Sequence, residues 1–67
     1  MTIRINDEQT AVPEGTTIND LVYIILQLQP AGMAVAVNES IVPRHSWEAS
    51  QLQAGDKVLI IKASQGG

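Results

Sequence analysis

Lys57-Val58-Leu59-Ile60-Ile61-Lys62-Ala63 places four aliphatic residues in a row. In an extended chain successive side chains point to opposite faces, so Val58 and Ile60 share one face and Leu59 and Ile61 the other. A segment apolar on both faces suggests a central strand of a sheet. The tight-turn signal Gln53-Ala54-Gly55-Asp56 precedes it, and the polar run Ser64-Gln65-Gly66-Gly67 comes after it. The expected domain is therefore 1–63, with 64–67 as an exposed, frayed tail.

Further back, Met33-Ala34-Val35-Ala36-Val37 is too short for a helix and rich in β-branched residues, so it reads as a strand. Asn38-Glu39-Ser40 forms a turn, and Ile41-Val42 a short strand that Pro43 confines to a sheet edge. Arg44–Gln53 has weak periodicity around Trp47 and Leu52, consistent with an irregular turn or one short helix. Thr16-Thr17-Ile18-Asn19-Asp20 reads as a helix start, with a threonine able to cap a free N–H and Asp20 at the positive end of the dipole. Ile18, Leu21, Val22, Ile25 and Leu28 then form one helical stripe, broadened by Ile24 and Leu26. Pro30 and Gly32 end the helix near Gln29. Met1, Ile3 and Ile5 alternate with Thr2 and Arg4, and Asn6-Asp7-Glu8 turns the chain back into Gln9–Val12, giving a hairpin.

The order is β-β-α-β-β-β. A right-handed crossover through the helix would set the third strand parallel to a neighbour and the last strand in the middle. One helix packed across one face of a mixed sheet is the α+β arrangement called β-grasp, or ubiquitin-like, and the strand order is taken from that likeness. The expected core is Ile3, Ile5, Ile18, Leu21, Val22, Ile25, Val58 and Ile60.

Composition excludes several classes of function. The chain has 67 residues, enough for one small domain. It has no cysteine, hence no disulfide, thiolate metal site or cysteine nucleophile, and its single histidine, His45, cannot build a zinc site alone. Four basic residues and a net charge of −3 are a poor footprint for nucleic acid or an anionic membrane. The longest apolar runs, Leu21–Leu26 and Met33–Val37, fall far short of the ~18 residues that span a bilayer, and Met1–Ile5 is no signal peptide. The expectation is a cytoplasmic protein.

No catalytic group stands out. The seven carboxylates lie on turns or polar stretches, where solvated surface is the ordinary outcome. Arg44-His45-Ser46 contains residue types that act in catalysis, but no third group orients the histidine, so an exposed loop is the better reading. Gly15, Gly32 and Gly55 are isolated turn formers rather than a phosphate cradle. What remains is the terminal pair Gly66-Gly67, expected by chance in roughly one chain in 200 at average glycine usage. Two residues without Cβ, placed after a buried strand, would let a tail of ~15–18 Å enter a narrow channel and leave its carbonyl open to attack.

The chain resembles the thiamine-biosynthesis sulfur carrier proteins along its whole length. The resemblance is carried by Ala36-Val37-Asn38, Ile41-Val42-Pro43-Arg44 and Trp47, by Gln51-Leu52-Gln53-Ala54-Gly55-Asp56-Lys57-Val58, and by Gly66-Gly67. It departs at Ser64, where members usually carry an apolar residue. The resemblance implies a carrier rather than an enzyme, binding no cofactor or metal of its own. Gly67 would be adenylated by a ubiquitin-activating-like adenylyltransferase using ATP and presented by Gly66. Sulfur from a cysteine desulfurase or another sulfur donor would turn it into a thiocarboxylate, which would supply thiazole synthase. A carrier for molybdopterin synthesis or another sulfur pathway, a ubiquitin-like protein modifier and an inert interaction module are the other readings.

One surface expectation comes from the strand quoted first. If Val58 and Ile60 face the helix, Leu59 and Ile61 face away from it beside Lys57. Either they form a patch that docks the adenylating partner, or Trp47 and its neighbours fold over them.

Overall fold

The computed structural model describes residues 1–62. The strands are β1 (Thr2–Ile5), β2 (Glu8–Ala11), β3 (Met33–Val37), β4 (Ser40–Val42) and β5 (Lys57–Lys62). Helix α1 opens as an α-helix over Ile18–Asp20 and continues as a π-helix over Leu21–Ile25, and α2 is a 3-10 helix, Arg44–Ala49. The sheet order is β2-β1-β5-β3-β4, so β5 is the middle strand. The tail at 64–67 lies outside the described residues.

Both hairpins close through two-residue turns of positive φ. Asn6 and Asp7 (φ 49° and 71°) join β1 to β2, and Asn38 and Glu39 (φ 50° and 72°) join β3 to β4. This left-handed pair matches the twist of the flanking strands, and asparagine tolerates the conformation well. β5 pairs parallel to β1 and antiparallel to β3. The third strand is therefore not parallel to a neighbour, contrary to expectation. The crossover through α1 does bring β3 back in the direction of β2, but β1 and β5 lie between them.

Helix α1 starts as the sequence implies. Asp20 N–H donates to Thr17 Oγ1 at 3.0 Å, and Asp20 Oδ2 accepts from Thr17 N–H at 3.2 Å, a reciprocal capping box. Its end differs. Leu26 N–H donates to Leu21 O at 2.8 Å, five residues back, and Leu28 N–H donates to Val22 O at 2.8 Å. The wider turn shifts the helical phase by one residue. Leu26 packs against the core where Ile25 was expected, while Ile25 is 37% and Ile24 66% exposed. Gln27 (φ 53°) then leaves the helix in the left-handed conformation, two residues before the expected end.

The core between α1 and the sheet comprises Ile3, Val12, Ile18, Leu21, Val22, Val35, Trp47, Leu52 and Val58. Ile5 and Ile60 pack against it half-buried, so Ile25 is the one expected member that lies outside. Trp47 joins from α2, its Nε1 donating to Val42 O at 2.9 Å. The indole thus completes the helix-side core and leaves the opposite face of the sheet open.

Candidate functional site: the open face of the sheet

The register defines the open face. Ala36 stands opposite Leu59 on one side and Ile41 on the other, and Ala34 stands opposite Ile61. Strand alternation puts these residues on the face away from α1. Leu59 is 48%, Ile61 43% and Ile41 62% exposed. The small alanines keep the middle of the patch low, so the larger side chains stand at its margins. Leu59 and Ile61 thus point away from α1, beside the Lys57 that pairs with Arg4 across the parallel strands.

Two asparagines anchor this face. Asn6 N–H donates to Val58 O at 2.9 Å, and its side-chain Oδ1 accepts from Ile60 N–H at 2.9 Å. Asn38 Nδ2 donates to Asp56 Oδ1, and Asn38 Oδ1 accepts from Lys57 N–H, both at 3.0 Å. Each turn residue therefore fastens β5 from one side. The sequence marks both as turn formers, but nothing in it shows that their side chains would also fix the central strand.

A recess of about 250 Å³ lies beside Leu59, lined by Ala36 and Val58 and, among its polar residues, by Arg4, Lys57, Asp7 and Glu39. Ile61 lines a second recess with Ala34, Met33 and Arg44. Arg44 and His45 are exposed, as expected, and they open α2, the short helix that is one of the two readings of 44–53. Among the described residues no hydrogen bond orients the His45 ring, and no group of three or more acidic or histidine residues is placed to hold a metal. Of the seven carboxylates none is buried. No described helix is long and apolar enough to cross a membrane. Gly66 and Gly67 lie outside the described residues, so Leu59 and Ile61 are the expected site residues whose placement is seen.

A five-stranded mixed sheet with one helix across one face and an open apolar patch on its central strand defines a β-grasp domain of the ubiquitin-like class. The chain belongs to the ThiS family, whose model matches residues 2–67. It is 37% identical over 67 residues to the sulfur carrier protein ThiS of Escherichia coli (strain K12), covering all of both chains. The fold is similar to the crystal structure of the thiamine biosynthesis protein ThiS from Geobacter metallireducens, with a TM-score of 0.86, 22% identity and full coverage of both chains.

Proposed function

We propose that this chain is the sulfur carrier of thiamine thiazole assembly, with the Gly67 carboxylate as the carrying group. Family membership along the full length supports the pathway. The observation that carries the mechanism is the central strand: β5 exposes Leu59 and Ile61 on the open face and runs on in sequence toward Gly66-Gly67. A partner that grips this face is poised to receive the glycine end of the chain.

A carboxylate is a poor electrophile, so an adenylyltransferase first joins it to AMP from ATP, with pyrophosphate leaving. A persulfide from a cysteine desulfurase then attacks the acyl carbon and releases AMP. A second thiol attacks the desulfurase sulfur of this acyl disulfide, forming a new disulfide and releasing the thiocarboxylate, which donates sulfur to thiazole synthase. The chain itself supplies no acid, base, cofactor or metal to these steps. It acts in the cytoplasm, where its partner finds ATP. Gly66, also lacking Cβ, lets the end of the chain fit a narrow channel.

Incubation with the cognate adenylyltransferase, ATP and a sulfur source, followed by intact-mass measurement, tests this reading. A gain of about 16 mass units is expected from replacing oxygen by sulfur, and deleting Gly67 should abolish it with the fold intact. Sulfur loading of the Gly67 deletion would overturn the proposal.

A further inference from the structure

The open face ends, where β5 runs out, in a recess of about 410 Å³ lined by Pro30, Gly32, Met33, Ala34, Arg44 and Ile61. Among the described residues Arg44 is the one charged residue of this lining. Its Nη2 donates to Tyr23 Oη at 3.1 Å, which ties the start of α2 to α1 across the surface. A guanidinium carries five N–H donors in a planar fork, so this bond biases its orientation and leaves donors free. A side chain already held in place loses less freedom when it binds.

The recess beside Leu59 is different. Arg4 and Lys57 share it with Asp7 and Glu39, so its charges are mixed. The Ile61 recess offers an apolar wall and one cation of a single sign. We infer that Arg44 is the docking cation of the open face: it takes a carboxylate of the adenylating partner while an apolar side chain of that partner settles against Ile61 and Ala34. Tyr23 is its positioning residue. The charge balance favours this occupant. On a chain of net charge −3, a partner's carboxylate meets least repulsion where a cation has no acidic neighbour, and of the two recesses only the one lined by Arg44 offers that among the described residues. The inference rests on the reading of Leu59 and Ile61 as the docking patch, and it adds a chemical identity for what meets them.

The test is titration of the cognate adenylyltransferase with the full chain at low and high salt. Arg44→Ala should weaken binding about tenfold at low salt, and the loss should shrink at high salt as the charge pair is screened. Arg44→Lys, which keeps the charge but not the fork, should fall between the two. Tyr23→Phe, which removes only a hydroxyl, should weaken binding about threefold with an unchanged melting temperature. The adenylation rate at saturating concentrations of the chain should be unaffected in all three, so the loss appears in KM and not in kcat. If Arg44→Ala binds like the unaltered chain at both salt concentrations while Leu59→Asp still binds poorly, the inference falls and the docking patch stands. If Leu59→Asp also binds normally, both fall.

Discussion

Asn6 treats Ile60 as a neighbouring strand would: its side-chain oxygen accepts the Ile60 N–H at 2.9 Å, and its amide nitrogen lies 3.5 Å from the Ile60 carbonyl oxygen. The backbone pairing of β1 with β5 stops at Ile5 and Val58. Asn6 prolongs it by one residue with side-chain atoms, and so holds the part of β5 that carries Leu59 and Ile61.

Replacing Asn6 with glycine keeps the positive φ but removes these contacts. Asn6→Gly should cost about 1–2 kcal/mol in denaturant unfolding. Amide exchange at Ile60 should rise more than at Val35, because the loss is local to β5.

The π turn of α1 predicts a contrast between two of its apolar positions. Leu21→Ala, in the core, should destabilise by about 2–5 kcal/mol, whereas Ile25→Ala should cost less than about 1 kcal/mol. Equal losses in urea titrations would mean that the helix keeps a regular phase.

Gln27 and Asp7 hold positive φ without being glycine. Gln27→Gly should stabilise the chain by about 0.5–1 kcal/mol, since it removes a Cβ from the left-handed conformation. Asp7→Gly should do the same by giving the Asn-Gly pair that such hairpin turns favour. A lower melting temperature in both would contradict the turn geometry.

Leu59→Asp should leave the melting temperature within a degree or two of the unaltered chain, since the side chain is half exposed and outside the core. Adenylation should then weaken through binding. Unfolding of this variant would instead make Leu59 a core residue.

The strands, their central member and the two faces of β5 are legible in the sequence because period-2 alternation and turn residues are local signals. Trp47 is placed by no such signal. Its burial depends on α2 bringing the indole under α1, with Val42 O as its acceptor. The misplacement of Ile25 has the same origin: a stripe of apolar residues fits an α-turn or a π-turn, and packing of Leu26 on the sheet makes the choice. The bond from Arg44 to Tyr23 is not legible in the sequence, because Tyr23 lies 21 residues away on another element.

The central position of β5 also bears on how the domain is made. The β1-β2 and β3-β4 hairpins each close locally, but they share no edge, and only β5 joins them into one sheet. Its pairing with β1 links Arg4 to Lys57, so most of the chain must already be in place before the loop between them closes. During synthesis the hairpins emerge first and wait for the strand that bridges them. The surface bearing Leu59 and Ile61 therefore comes into being only at the last assembly step, when β5 closes the sheet.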